Sequence, residues 1–399
     1  MRLAARSFRV TAAVIALVLS GIPAAAQDSR EEIIVKAQEE KATGLRPYEP
    51  NRLEQVLNQL QKTLTLAPTG VYPTFGSVYS GGGFTVGAGY RRYIGDRVNW
   101  NVTGLYSAKN YKLLELTLHS PRPLTGRLDY NITTSWRDAT QVAFHGLGID
   151  SPAEETRFRL QQGYAGGRAW LRPQPWVVVH GALAYEAFTL GDGQGAAPDV
   201  DDVFTPETAP GLGQSPDYVH TTFSGAVDTR NSPEYTRRGG LAEVAFHHYR
   251  DRDDRYSFKR VDTELVGHIP LRRETWVISL RSRMQSTIGD EDVVPYFLLP
   301  ALGSGSSLRG YSSWRFRDRH SLLFSAEWRW FPNRLALDAA IFADAGTVAD
   351  RRDALSFGRM VGDVGIGLRF HSPVATPLRI ELAGGREGMR VIFAAHAAF

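Results

Sequence analysis

The stretch Arg319-His320-Ser321-Leu322-Leu323-Phe324-Ser325-Ala326-Glu327-Trp328-Arg329-Trp330-Phe331 decides the fold, because apolar and polar side chains alternate along it. One face carries Leu322, Phe324, Ala326, Trp328 and Trp330, and the other carries Ser321, Ser325, Glu327 and Arg329. A period of two is typical of a β-strand with different surroundings on its two sides. In a membrane barrel the apolar face meets lipid and the polar face meets a wet lumen. The stretch therefore predicts a transmembrane strand whose Glu327 and Arg329 point inward. Alternation in later segments likewise puts Arg369, Arg379 and Glu381 on inward faces.

The same alternation recurs from about Thr69 to Phe399, in segments separated by Gly, Pro, Asp and Asn. Counting back from the last residue gives sixteen strands. They are expected near 69–80, 84–94, 96–108, 110–119, 125–137, 155–170, 174–189, 216–229, 237–250, 255–269, 273–287, 319–331, 333–346, 359–371, 376–386 and 388–399. The first is the weakest, because Pro73 and three successive glycines interrupt it. An even number is what single-chain bacterial barrels require.

Periodicity alone also fits a soluble β-sandwich, so other features have to separate the two folds. Aromatic residues at the strand ends, an export signal and a final strand that ends on an aromatic residue all favour the membrane barrel. We therefore predict an all-β fold, an antiparallel transmembrane β-barrel of 16 strands formed by residues 69–399.

The N-terminus predicts export. Arg2, Arg6 and Arg9 precede an apolar run from Val10 to Leu19, and three alanines at 24–26 then offer a cleavage site. A membrane-anchoring helix is the alternative, but the run is shorter than the roughly 20 residues that a span requires. We expect residues 1–26 to be a signal peptide and the mature chain to reach the bacterial outer membrane, with the lipid bilayer as its first partner.

Residues 27–68 form a short polar segment with one amphipathic helix, which is predicted from 51 to 64. Asn51 caps its start and Glu54 reaches back to the Asn51 amide, while five apolar side chains fall on one face. The helix is expected to lie tethered in the periplasm or at the barrel mouth. The alternative is that it docks a separate periplasmic partner.

Composition excludes several classes of function. Without residues 1–26 the chain has 43 basic and 42 acidic residues, so no electrostatic signal for nucleic acid remains. Cysteine is absent, which excludes disulfides and thiolate chemistry. The chain has no Gly-x-Ser-x-Gly elbow and no phosphate-binding loop, and His247 and His248 face opposite sides of one strand. We therefore predict no enzyme activity, no metal and no cofactor.

The stretch Gly303-Ser304-Gly305-Ser306-Ser307-Leu308-Arg309-Gly310-Tyr311 places one arginine in a glycine- and serine-rich loop between predicted strands. Such an arginine needs a partner. If the loop folds back into the lumen, the guanidinium can dock on inward carboxylates, and the two following strands supply Glu327 and Asp344 as candidates.

These motifs together resemble those of a known family. The order is Leu308-Arg309-Gly310-Tyr311, a strand with Glu327, Phe342-Ala343-Asp344-Ala345-Gly346, a glycine-rich strand and a terminal aromatic strand with Phe393 and Phe399. Alternation puts both of these phenylalanines on the outward face of the last strand. It is similar to that of the BamA/TamA-type barrels, also called bacterial surface antigens. Phe144-His145-Gly146-Leu147-Gly148, followed by Asp150-Ser151, looks like a further family element.

The resemblance implies sixteen strands and a lumen-inserted loop whose arginine contacts acids on the twelfth and thirteenth strands. Carried onto this chain, the site consists of Arg309, Gly310, Tyr311, Glu327 and Asp344. The resemblance also implies a seam between the first and last strands that admits membrane-protein or exported-polypeptide clients. Glycines at 76 and 81–89 and small residues at 394–398 predict weak pairing there, although they also fit kinks that only help the barrel to curve.

One departure from the family affects the functional expectation. Family members that insert or export proteins usually carry periplasmic polypeptide-binding modules before the barrel, and residues 27–68 are too few for one. The expected function is nevertheless that of an insertion or translocation barrel. The alternatives are a surface-exposed barrel that binds a partner or ligand, and a passive porin-like channel.

Overall fold

The structure is a computed structural model. It describes residues 69–95, 98–120, 127–233, 235–272, 274–289, 293–331, 337–370, 376, 378–394 and 398–399. Contacts divide the chain into two units, Met1–Asn58 and Gln59–Phe399, and all of the described residues belong to the second. The signal peptide and the helix expected at 51–64 lie outside the described residues. No helix in the described ranges has the length and apolar character needed to cross a membrane.

Sixteen strands form one antiparallel sheet in which each strand pairs with its neighbours in chain order. These strands are β1 (Gly70–Phe75), β2 (Thr85–Ile94), β3 (Val98–Ser107), β4 (Lys112–Ser120), β5 (Leu128–Phe144), β6 (Thr156–Gln174), β7 (Val177–Asp192), β8 (Asp217–Asp228), β9 (Gly239–Asp251), β10 (Phe258–Leu271), β11 (Trp276–Ile288), β14 (His320–Trp330), β15 (Leu337–Ala349), β16 (Val361–Phe370), β17 (Leu378–Gly385) and β18 (Gly388–Ala394). Two short strands, β12 (Ala301–Leu302) and β13 (Phe316–Arg317), pair with each other between β11 and β14.

Every predicted segment corresponds to one strand of the large sheet, so the prediction of a sixteen-stranded antiparallel fold is confirmed. The first strand exists but ends at Phe75, well before the predicted residue 80. Pro73 lies within it, opposite Ala88 of β2. A proline is tolerated there because β1 is an edge strand, where one row of backbone groups has no neighbouring strand to bond.

The two faces of the sheet have the division that the alternation predicts. On β14 and β15, Trp328 and Ile341 expose 45% and 53% of their surface, whereas Glu327 and Phe342 expose only 2% each. Trp276 at the start of β11 stacks on Trp328 with ring centroids 4.6 Å apart. Aromatic rings near strand ends are typical of the membrane interface. The exposed apolar face is therefore the lipid face, and the buried polar face lines the lumen.

The four longest connections all lie at one end of the sheet, which we call the loop end. They are residues 145–155, 193–216 with helix α1 (Val200–Val203), 289–319 and 350–360. The opposite end, where β1 begins and β18 ends, is the terminal end. Outer-membrane barrels have short periplasmic turns and longer extracellular loops. On this pattern we expect the loop end to face the cell exterior and the terminal end to face the periplasm.

The loop end of the lumen is filled by apolar side chains from the connection 289–319. Tyr296 packs against Phe144 of β5 and Phe158 of β6, with ring centroids 4.9 and 5.0 Å apart. Phe297 packs against Phe188 of β7 at 5.3 Å. These rings belong to one buried cluster, which we call the aromatic plug, at this end of the lumen.

The placement of Phe399 differs from the prediction, which put it on the outward face of the last strand with Phe393. Strand β18 ends at Ala394, and the ring of Phe399 lies near His268, Arg281 and Arg329 on the lumen side. The expectation for Phe399 was wrong because alternation applies only while the strand continues.

Candidate functional site

The loop that carries Arg309 is shaped by a short hairpin within the connection 289–319. Ala301 pairs with Arg317 and Leu302 with Phe316, which turns the chain back on itself. Gly303 then has a φ of +99°, and a Cβ atom at this position would collide with the carbonyl oxygen of Ser312. Glycine is required there for both reasons.

A second glycine lets the loop approach the barrel wall. A Cβ atom on Gly310 would lie 2.7 Å from Cβ of Asp363 and 2.9 Å from the backbone nitrogen of Gly385. Tyr311 follows, and its hydroxyl donates to the carbonyl of Gly362 over 3.2 Å. The backbone that follows Arg309 is thereby held against β16 and β17.

The guanidinium of Arg309 forms the two contacts that the sequence suggested. Its Nε and NH2 groups donate to the two carboxylate oxygens of Asp344 over 2.7 and 3.0 Å, and its NH1 group donates to Oε1 of Glu327 over 2.6 Å. Arg309 itself is 1% exposed. A bidentate pair of this kind is among the strongest charge-assisted hydrogen bonds in proteins.

Two further groups complete the surroundings of Arg309. Oε1 of Glu381, on β17, lies 3.3 Å from the arginine NH1. The ring of Phe342, on β15, lies under the guanidinium, with 3.4 Å between Cζ and the ring centre. The loop cation is therefore bound by side chains from three strands of the wall.

Three wall arginines extend these contacts into a buried network, which we call the Arg309 network. Glu327 also accepts from Arg369 over 2.7 Å and from Arg329 over 2.8 Å. Glu381 pairs with Arg369 at 3.2 Å and lies 3.1 Å from Arg379. Each of these side chains is at most 3% exposed.

The Arg309 network also grips the loop backbone. Arg379 donates to the carbonyl of Gly305 over 2.6 Å, and a Cβ atom on Gly305 would lie 3.0 Å from Ile392 of β18. Removing one member of a buried ion pair typically costs about 3–5 kcal/mol, because the remaining charge is left without compensation. Since Glu327, Asp344 and Glu381 each bind arginine, the arrangement is suited to holding a loop in place.

Sequence reasoning placed Arg329, Arg369, Arg379 and Glu381 on the inward face but gave them no part in the site. Alternation gives the direction of a side chain and not the neighbour that it meets across the lumen. Phe393 lies on the outward face of β18, 66% exposed, and takes no part in the network. Phe399 does touch it, because its carbonyl oxygen accepts from NH2 of Arg329 over 3.3 Å.

A second polar cluster lines the wall from β7 to β10. His220 contacts Glu186 at 2.7 Å through Nδ1 and His247 at 3.1 Å through Nε2, and His247 lies 3.8 Å from Asp262. Within the described ranges, however, no three or more His, Cys, Asp or Glu side chains are arranged to hold a metal ion.

The strands and the loop that bear the Arg309 network fall within a stretch that matches a known family. The profile of the Omp85 superfamily domain matches residues 180–385, more than half of the 399 residues. The chain belongs to the Omp85 superfamily. It is thus an outer-membrane β-barrel of the Omp85 type, and the resemblance to the BamA/TamA-type barrels is confirmed. No curated protein matches it significantly.

Solved structures with the same fold include the crystal structure of BamA from Haemophilus ducreyi lacking POTRA domains 1-3. The match covers 86% of this chain and 78% of that one, with 14% identity and a TM-score of 0.59. CdiB from Escherichia coli matches over 84% of this Omp85 chain with 16% identity and a TM-score of 0.54, and CdiB from Acinetobacter baumannii matches over 82% with 11% identity and a TM-score of 0.49. The matches span 64% and 58% of the two CdiB chains.

Proposed function

We propose that this Omp85 barrel inserts or translocates polypeptides at the outer membrane by accepting an extended client segment at the seam between β1 and β18. The observation that carries the proposal is the pairing of the sheet. In the part of the chain that the structure describes, β1 is hydrogen-bonded only to β2 and β18 only to β17, whereas every other strand of the sheet has two partners. A free strand edge is costly in lipid and is a template for strand addition.

The composition of the two edge strands supports a weak seam. With six and seven residues, β1 and β18 are the shortest strands of the large sheet. Pro73 cannot donate a backbone hydrogen bond, and Ala394 and Gly388 offer little side-chain contact. A client strand would therefore compete with few native contacts.

The filled lumen favours this function over a passive pore. Tyr296 and Phe297 occupy the loop end, and the Arg309 network fixes the rest of the loop to β14, β15 and β17. We infer that Arg309 locks the loop inside the barrel, and we expect low conductance from the intact protein. In this role the barrel catalyses no covalent chemistry and needs no cofactor.

The remaining parts of the proposal concern residues 1–68. Residues 1–26 would direct export and be removed, and residues 27–68 would lie in the periplasm. The helix expected at 51–64 would dock a separate periplasmic partner that supplies client capture. Deleting residues 51–64 should then leave the barrel folded and reduce only the activity that depends on that partner.

The function is tested by folding a model outer-membrane protein into liposomes with and without this barrel, scored by heat-modifiable mobility on a gel. The matched control is Val71→Cys with Phe393→Cys, which places one exposed thiol on each edge strand for a bifunctional cross-linking reagent that reductant cleaves. Because the chain has no cysteine of its own, these two are the only thiols. We expect acceleration by the reduced double variant, loss of acceleration on cross-linking and recovery with reductant. Absence of acceleration together with steady single-channel currents would contradict the proposal and indicate a pore.

A further inference from the structure

One short segment of the loop lies between the two hairpins that border the seam. This segment, residues 311–315, follows the Arg309 site and is called the clasp segment here. The turn between β1 and β2 lies on one side of it, and the turn between β17 and β18 lies on the other. Both turns are at the loop end of the barrel.

The clasp segment binds the β1–β2 turn through Trp314. The indole Nε1 donates to the carbonyl of Ser80 over 3.0 Å, and the indole ring stacks on Tyr79 with centroids 5.0 Å apart. The hydroxyls of Ser313 and Ser80 are hydrogen-bonded at 3.2 Å. These contacts join residues more than 230 positions apart in the chain.

The clasp segment binds the β17–β18 turn through Tyr311 and Arg315. Nε of Arg315 donates to Oε1 of Glu387 over 2.7 Å, and the backbone nitrogen of Arg386 donates to the Tyr311 hydroxyl over 3.4 Å. A Cβ atom on Gly385 would lie 3.0 Å from the Tyr311 ring, so this contact is close.

The clasp segment is itself held in place by contacts with Ser151 in the connection 145–155. NH1 and NH2 of Arg315 donate to the hydroxyl and the carbonyl oxygen of Ser151, both over 2.9 Å, and Arg315 is 4% exposed. Trp314 has a φ of +66°, a left-handed conformation that is uncommon for a bulky residue. Such a conformation persists only where the surroundings enforce it, and it is frequent at ligand clamps and switches.

We propose that residues 311–315 clasp the two edge hairpins together at the loop end, so that the seam opens as a hinge from the terminal end. Within the part of the chain that the structure describes, the clasp takes the place of β1–β18 hydrogen bonds at the loop end only. The free halves of the edges, near Val71 on β1 and Phe393 on β18, would then receive an extended polypeptide from the periplasmic side. This inference describes how the proposed function is regulated and depends on that function for its significance.

The hinge is tested by spin-label distances across the seam in lipid nanodiscs. One pair is placed at the loop end, Phe75→Cys with Met389→Cys, and the other at the terminal end, Val71→Cys with Phe393→Cys. All four side chains are at least half exposed. We expect a narrow distance distribution for the loop-end pair and a distinctly broader one for the terminal-end pair. Equal widths at the two ends would overturn the hinge.

The clasp is tested by substitutions in the same labelled proteins. Trp314→Ala with Arg315→Ala should broaden the loop-end distribution to the width seen at the terminal end. Glu387→Gln, on the exposed side of the Arg315 pair, should broaden it in part without burying a new group, so the test remains valid if the double variant fails to fold. The matched control is Arg351→Ala, an exposed arginine on another loop that pairs with its neighbour Asp353. An unchanged loop-end distribution in folded Glu387→Gln and in the double variant would overturn the clasp.

These measurements do not require the barrel to assemble anything. If the distances behave as expected but liposome insertion is not accelerated, the clasp stands and the proposed function fails. If insertion is accelerated but the two ends have equal widths, the function stands and the hinge is wrong.

Discussion

The guanidinium carbon of Arg309 lies 3.4 Å from the centre of the Phe342 ring, on the strand that also supplies Asp344. Strand β15 thus places the face of the Phe342 ring against the plane of the guanidinium and the carboxylate of Asp344 at the edge of the guanidinium. Water is excluded from this buried site, so the local dielectric constant is low. The electrostatic attraction between the guanidinium and the ring is therefore stronger than it would be in water.

The Phe342 contact can be measured separately from the ion pairs. Phe342→Leu keeps an apolar side chain and removes the ring face, so we expect the free energy of unfolding to fall by about 2 kcal/mol. Urea unfolding of the barrel in lipid is the measurement. Phe246→Leu, on the outward face of β9, is the control, and an equal loss in both variants would count against a special role for Phe342.

Reversing Arg309 should release the loop. Arg309→Glu places a fourth acid beside Glu327, Asp344 and Glu381, so we expect a loss of at least about 3–5 kcal/mol and of heat-modifiable mobility. Adding Asp344→Arg should restore folding only in part, because the new pair still leaves Glu327 and Glu381 without the loop cation. A single variant as stable as the wild-type protein would disprove the lock.

The carboxyl group of Asp318, at the end of the loop, predicts that the stability of the barrel depends on pH. Burial raises the pKa of its carboxyl to about 6, and the negative charge of Asp350 acts in the same direction. The folded state therefore binds the proton more tightly than the unfolded state, and stability should fall as pH rises from about 4 to about 6 and then level off. Thermal melts of Asp318→Asn from pH 4 to pH 8 should lack this decline. Parallel curves for the two proteins would refute the assignment.

His145 predicts the opposite dependence in the neighbouring loop. Burial, and then the charge of Arg315, lower the pKa of its imidazole below the usual 6.5. The folded state favours the neutral ring, so its contribution is complete above pH 6.5 and is lost as pH falls. Hydrogen exchange of residues 145–155, corrected for intrinsic rates, should speed up at pH 5 relative to pH 8. His145→Gln should remove most of that difference, and an unchanged difference would rule His145 out as its source.

The aromatic plug predicts the conductance. Tyr296→Ala removes a buried ring that contacts Phe144 and Phe158 and leaves a cavity at the loop end of the lumen. We expect larger or more frequent openings in planar bilayers and a stability loss of about 3–5 kcal/mol. Val203→Ala in the exposed part of α1 is the control. Wild-type currents already as large as those of the variant would show that the plug does not seal the lumen.

The sequence predicts the strands well because a period of two is a local property. In each segment, such as 319–331, the alternation of apolar and polar residues indicates which face meets lipid. The inward direction of Glu327 and Asp344 follows from that alternation. Those directions, with the position of the arginine loop, are enough to name two partners of Arg309 from the sequence alone.

The other contacts depend on the path of a long loop, which local periodicity does not contain. Glu381 lies on β17 and meets Arg309 only because the loop reaches past β16, and Trp314 meets Tyr79 only because the same loop crosses to the first hairpin. Phe399 was misplaced because it lies beyond the last strand, where alternation has no meaning. Close approach of the loop to the wall could have been suspected at Gly310, whose missing side chain makes the room.

The enclosed position of Arg309 also has a consequence for the order in which the chain folds. The charged loop has partners on β14, β15 and β17. If the barrel closed first, the loop could enter its lumen only after water had been removed from every member of the Arg309 network. We therefore expect the pairs of Arg309 with Glu327 and Asp344 to form while the wall is still incomplete, and the last hairpin, which carries Glu381, to close onto a loop that is already in place. The loop would then act as a core around which the barrel forms. We expect a newly made chain to reach its final topology only after the Arg309 guanidinium has paired with its carboxylate partners.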